Sequence, residues 1–222
     1  MLKSPLLALR SVPVVIAIAM SLLLSSCGSA TQQYPAFKKE GVYFAVPNNW
    51  HEITTKQLNA QEALATDADA KDRAAMVQWQ VAYSTDKAIT PAEVFNLNSV
   101  DAPVVLARVR SLFPDESNSV SNNSLRNMVV PLTTWVTEPT ATTPVYEIFD
   151  DQDRIEKGAR GVRTVFSFTL HGEKQSIDQT ALLSPDRSTI YVLLIRCSSL
   201  CFEKNKAAIT KIAESFTVRG TK

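Results

Sequence analysis

Three runs of strand-forming residues, 162–171, 175–183 and 189–195, follow one another, with Gly172-Glu173 and Ser184-Pro185-Asp186-Arg187 as the turns between them. Turn residues in such short connections read as hairpins. A parallel return needs a crossover of about a dozen residues or more, so three strands joined this way form an antiparallel sheet. Further strands are expected at 42–46, at 145–149 and at 76–83, where Val77, Trp79, Val81 and Tyr83 alternate onto one face. A run at 128–136 carries Pro131, which points to an edge or bulged strand.

Helix signals lie between these runs. Thr54-x-x-Gln57 is a capping-box pattern ahead of an Ala-rich helix over 56–65, and residues 67–75 continue it or form a second turn. Thr90-Pro91-Ala92-Glu93 supplies a cap, a first-turn proline and a carboxylate. Another start at Asp101 precedes a stripe of Val105, Val109 and Leu112, with Leu106 and Phe113 beside it and Pro114 ending the helix. A last helix over 200–215 turns Ile209, Ile212, Ala213 and Phe216 inward. Residues 115–123 and 138–144 read as loops. The fold class is α+β, an antiparallel sheet of about six or seven strands covered by helices.

The N-terminus has a different character. Lys3 and Arg10 precede an apolar stretch at 12–24, interrupted only by Pro13 and Ser21, and Leu24-Ser25-Ser26-Cys27 follows. A positive start, an apolar core and small residues before a cut describe a secretory signal, too short to stay across a bilayer of ~20 helical residues. Leu-Ser-Ser-Cys resembles the bacterial lipobox. The resemblance implies removal of residues 1–26 and acylation of Cys27 with two or three chains, palmitate among them. At ~0.8 kcal/mol per buried methylene that attachment is effectively permanent. Gly28 stands where an Asp would suggest inner-membrane retention, which favours the outer membrane in a host with two membranes. Residues 27–35 are expected to act as a tether of roughly 30 Å at ~3.3 Å per residue, followed by one globular domain over 36–222. The expected location is the extracytoplasmic side of the cell envelope.

After cleavage, 222 minus 26 leaves 196 residues, with 21 basic side chains against 22 acidic ones once Lys3 and Arg10 are gone. A balance near −1 gives no electrostatic footprint for nucleic acid. Six glycines and no internal repeat exclude collagen-like and tandem-repeat architectures. With Cys27 acylated, Cys197 and Cys201 remain, an even pair in an exported chain. A turn from strand into helix can bring them within the ~4.4–6.8 Å a disulfide needs. The other reading is two reduced core residues.

Two segments resemble the PsbP-like family. Val42-Tyr-Phe-Ala-Val-Pro-Asn-Asn-Trp50 is similar to its opening strand, proline, turn and tryptophan. Tyr191-Val-Leu-Leu-Ile195 with Ile212-Ala-Glu-Ser-Phe216 is similar to its closing strand and helix. The resemblance implies an antiparallel sheet sandwiched between helices, and it carries over no binding residue, since members of the family do unrelated jobs, mostly by binding partners.

No catalytic, cofactor or metal motif stands out, so none of these sites is assigned. His51 and His171 have no second ligand at metal spacing. Asp150, Asp151, Asp153 and Glu156 fail the calcium-loop pattern, since the fifth and sixth positions from Asp151 hold Ile155 and Glu156. Asp67, Asp69 and Asp72 fall on different sides of a helix. There is no Gly-x-Ser-x-Gly elbow. Trp50, Trp79 and Trp135 read as core aromatics, with a ligand groove as the alternative. The function expected is a membrane-anchored binding or assembly module with an envelope protein partner. The alternatives are a hydrolase using carboxylates dispersed in sequence and a periplasmic carrier of an apolar ligand.

Overall fold

A computed structural model describes residues 31–98 and 100–220; Cys27 and the signal sequence lie outside them. The domain begins earlier than the sequence suggests. Within the expected tether, β1 (Gln32–Gln33) is already docked on β4 (Val46–Pro47), and β2 (Ala36–Phe37), just after it, pairs with β3 (Val42–Tyr43). The expected strand at 42–46 is thus two short pieces in two small sheets. Val42, Phe44 and Val46 still alternate into the core, and Gln33 Nε2 donates to the carbonyls of Pro47 and Trp50.

After β5 (His51–Ile53), helix α1 (Thr55–Glu62) begins at Thr54 with both capping-box bonds to Gln57 formed. Asp67 caps a separate helix α2 (Ala68–Ala75) by accepting from the amides of Asp69 and Ala70. Then come β6 (Val77–Ser84) and α3 (Pro91–Phe95), the latter opened by the Thr90 and Glu93 capping box. The helix expected from Asp101 is instead strand β7 (Val104–Ser111). It runs between two neighbours and is buried on both faces, so its apolar run lacks alternation, and the Val105, Val109, Leu112 spacing imitates a helical stripe.

Pro114, expected as a terminator, is the first residue of α4 (Pro114–Ser119), and Ser121 caps α5 (Asn122–Arg126) within the expected loop. The strand expected at 128–136 is replaced by α6 (Leu132–Thr137), entered from Pro131; a proline just before a helix is well placed, whereas inside a strand it removes a donor. Strand β8 (Tyr146–Ile155) extends well past the expected 145–149. β9 (Arg160–Leu170), β10 (Glu173–Leu183) and β11 (Thr189–Ser198) form the hairpins anticipated. The first closes through His171 and Gly172, whose φ values of 52° and 84° suit a two-residue turn. Ser198 caps α7 (Ser199–Ser215), and β12 (Thr217–Val218), the last described element, pairs with β3.

Seven of the described strands make one antiparallel sheet in the order β5-β6-β7-β11-β10-β9-β8. One face packs Tyr83, Val105, Ala107, Leu193 and Ile195 against Phe44, Trp50 and the α7 residues Ile209, Ile212 and Ala213, with Phe216 just beyond. The other packs Leu106, Phe166, Ile177, Ala181 and Leu194 against Leu58 of α1, Val94 of α3, Leu125 of α5 and Leu132 of α6. The architecture is α+β, with helices on both faces of the sheet. Cys197 and Cys201 join the end of β11 to the first turn of α7 through a disulfide, their Cα atoms 5.9 Å apart.

Candidate functional site: the open edge at β8

The two margins of the sheet are unlike. β5 at one margin has three residues, a short edge of the kind that discourages further pairing. β8 at the other margin has ten, paired on one side to β9 and open on the other. A bulge between Ile148 and Asp150 inserts Phe149 as an extra residue, which re-aims side chains locally and increases the twist. Cross-strand partners share a face, so Tyr146, Ile148, Asp151 and Asp153 lie on the α5–α6 side, while Glu147, Asp150, Gln152 and Arg154 lie on the α7 side.

The helices beside β8 are pinned by polar bonds. Gln179 Nε2 donates to the Leu125 carbonyl at 2.8 Å, fixing α5 to the sheet. Asn127 accepts from the Thr133 amide at 2.9 Å and sets the entry of α6. Trp135 then packs its ring against Tyr146 and Phe168, with centroids 5.7 and 5.6 Å away. Arg126 Nε donates to both oxygens of Asp151 at 3.0 Å, and Thr164 Oγ1 donates to the same carboxylate at 2.9 Å.

Between α5–α6 and β8 lies a groove of about 260 Å³, lined by Leu132, Thr133, Val136 and Ile148 with Arg126 and Asp151. Its rim is apolar and open to water: Val136 is 50% exposed and Ile148 39%, and beside them Val145, just before the strand, is 78% and Phe149, on it, 51% exposed. Scattered surface hydrophobes are ordinary, but a cluster along an unpaired strand is the usual mark of a contact surface. The clefts of larger volume described beside it are more polar. One of about 530 Å³ is lined by Lys157, Arg219, Glu40 and Asp186. Tyr191 Oη donates to Glu40, and Ser184 and Ser188 donate to Asp186, holding the Asp186 carboxyl below its ordinary range.

The residues weighed from sequence do not converge. His51 is on β5 and His171 in the β9–β10 turn, both exposed, and no group of three metal-type ligands occurs among the described residues. Of the acidic run, Asp151 is engaged by Arg126, and Glu156 accepts from Arg154 and Thr217. Trp50 is buried, Trp79 stacks on Phe37, and Trp135 packs on Tyr146 and Phe168. The apolar rim was not legible. Residues 128–136 carried a strand pattern, which hid the helical position of Val136, and a polar run at 150–153 reads as the end of a strand, not as its exposed middle. That same run, appended to Tyr146-Glu-Ile148, is the signal an edge strand leaves.

No protein-family model and no curated protein matches the chain. Solved structures similar to it include cyanobacterial PsbP (CyanoP) from Synechocystis, 14% identical with a TM-score of 0.47 over 88% of this chain and 99% of that one. LpqN of Mycobacterium tuberculosis, described as involved in cell envelope biogenesis, is 13% identical with a TM-score of 0.44 over 84% and 90%. The Ran-binding protein Mog1p of Saccharomyces cerevisiae is 10% identical with a TM-score of 0.44 over 85% and 96%.

Proposed function

We propose that the mature protein is a binding or assembly module of the bacterial cell envelope, anchored by a lipid on Cys27, that engages an envelope protein through the open edge at β8. Its place is the extracytoplasmic side, on the outer membrane where the host has two. The observation that carries the reading is the apolar rim of Val136, Val145, Ile148 and Phe149 along a ten-residue edge strand open on one side. Both faces of the sheet are otherwise filled by packed side chains. The groove of about 260 Å³ is smaller than the ~300–1,000 Å³ of ligand pockets, so a surface contact suits this geometry better than an enclosed apolar ligand does.

A photo-crosslinking residue at position 149, used in living cells, should capture a specific envelope protein identifiable by mass spectrometry. The same residue at position 51, on the short opposite edge, should not. Cys27→Ser should abolish lipid labelling and leave uncleaved precursor; normal labelling of that variant removes the anchor. A purified domain that turns over peptidoglycan, ester or glycan, with one Asp or Glu to Ala change ending the activity without unfolding, replaces binding with catalysis.

A further inference from the structure

We infer that the β8 edge receives an extended, Lys/Arg-bearing segment of a partner protein, which adds to the sheet as an eighth strand. The inference rests on the binding-module reading and specifies its mode. An edge strand offers a row of unpaired backbone donors and acceptors, and an extended segment can take them up as it would in a sheet, with alternate side chains giving specificity. What remains is to say which segments fit.

Charge decides. β8 carries Glu147, Asp150, Asp151 and Asp153 against the single cation Arg154. Lys174 approaches Glu147 at 3.4 Å and Arg126 holds Asp151. Asp150 and Asp153 accept hydrogen bonds from the neutral amides of Gln152 at 2.9 Å and Asn122 at 3.4 Å. Neither forms an ion pair among the described residues. Arg154, Arg160 and Arg187 line a cleft with Asp153, but the strand itself carries four carboxylates to one cation, so its field is negative on balance.

That field disfavours a second copy of this chain. In an antiparallel β8–β8 pair centred anywhere from residue 150 to residue 152, two aspartates stand directly opposite one another, Asp150 on itself, Asp151 on itself or Asp150 on Asp153, for example, and Arg154 faces a carboxylate only where Asp150 meets Asp151 or Asp151 meets Asp153. Like charges in directly opposed positions are destabilising. Anionic lipid and nucleic acid are repelled for the same reason. A cationic strand is attracted, and the positions narrow it further. Asp150 and Asp153 lie on opposite faces of the sheet, so the incoming segment needs basic residues on both of its faces, three positions apart. An apolar residue beyond them would lie over Ile148 and Val136 at the groove.

The test uses the full chain in detergent and a synthetic Val/Thr peptide with lysines spaced three apart, with its glutamate counterpart as the comparison. The lysine peptide should bind and slow hydrogen exchange at the β8 amides, more weakly as salt is raised; the glutamate peptide should not bind. Asp150→Lys with Asp153→Lys should weaken the lysine peptide by about tenfold or more and admit the glutamate peptide. The paired Asn substitutions, which change charge with little change of shape, should fall between. Equal binding of both peptides, or binding that leaves the β8 amides unprotected, overturns the proposal. In cells, the position-149 crosslink should disappear in the paired Lys variant. A crosslink that persists there keeps the binding module but overturns the cationic strand, whereas no crosslink in the unaltered chain overturns the module itself.

Discussion

Gly158 and Gly220 meet backbone against backbone: a β-carbon on Gly158 would stand 2.1 Å from the Gly220 amide nitrogen. The Gly158 amide donates to the Val218 carbonyl at 2.8 Å, and the Arg219 amide to the Gly41 carbonyl at 2.9 Å. Three distant parts of the chain are therefore sewn together where no side chain fits. Gly158→Ala has to push backbone apart, because no flexible side chain stands in the way. It should cost about 1–3 kcal/mol, the range for overpacking a close contact. The urea midpoint of the variant measures it, and an unshifted midpoint would show the junction to be loose.

On the α7 side of the sheet, Arg163 and Asp178 form a two-pronged pair, Nε to Oδ1 at 2.9 Å and Nη2 to Oδ2 at 2.6 Å, with Arg163 7% and Asp178 2% exposed. Burial pushes the Asp178 carboxyl up, while the guanidinium opposes that shift. Removing one partner leaves the other charge buried and unpaired. Asp178→Ala should therefore destabilise by about 3–5 kcal/mol, whereas Arg163→Met with Asp178→Leu should recover most of that loss. Calorimetry of Arg163→Met, Asp178→Leu and their combination closes the cycle. A double variant as unstable as the single would mean that shape, not charge, matters at this position.

Phe216 and Trp50 sit in the same buried cluster, at 1% and 6% exposure, and bring the end of α7 to the turn after β4. Ser215 supports the junction, its Oγ accepting from the Ala45 amide at 2.8 Å. Phe216→Ala should cost about 3–5 kcal/mol through lost burial and a residual cavity. If its unfolding midpoint matched that of the unaltered chain, α7 would not be docked as described.

These contacts mark where sequence reasoning succeeds. The β9–β10–β11 hairpins and α7 follow from local signals, namely turn residues, alternation, and the stripe of Ile209, Ile212 and Phe216. β7 was hidden because a strand buried on both faces loses its period of two. α6 was hidden because Thr133-Thr134-Trp135-Val136 favours strands by propensity, while Pro131 and packing on Phe168 decide for a helix. The edge position of β8 is a property of strand order, since β11 inserts between β7 and β10. No stretch of sequence states that order, and the open edge could only be seen once the sheet was assembled.

Glu116 gives the fold a measurable pH dependence. It is the third residue of α4; Arg110 donates to its two oxygens at 2.8 and 2.9 Å, and the Phe113 amide donates at 3.0 Å. These bonds, the Arg110 fork first, hold the Glu116 carboxyl below the usual carboxylate range. A carboxyl whose value is lower in the folded than in the unfolded chain binds fewer protons when folded. Its stabilising contribution is therefore present above the unfolded value of about 4.3 and disappears as pH falls through the folded value. The pair is partly exposed, so the contribution should be no more than about 1 kcal/mol. Glu116→Gln should lower Tm modestly at neutral pH, and the gap to the unaltered chain should close on acidification below the carboxylate range. High salt should narrow the neutral-pH gap as well. A gap that stays constant from neutral to strongly acid pH would mean that Glu116 acts by shape and neutral hydrogen bonding, with its charge contributing nothing.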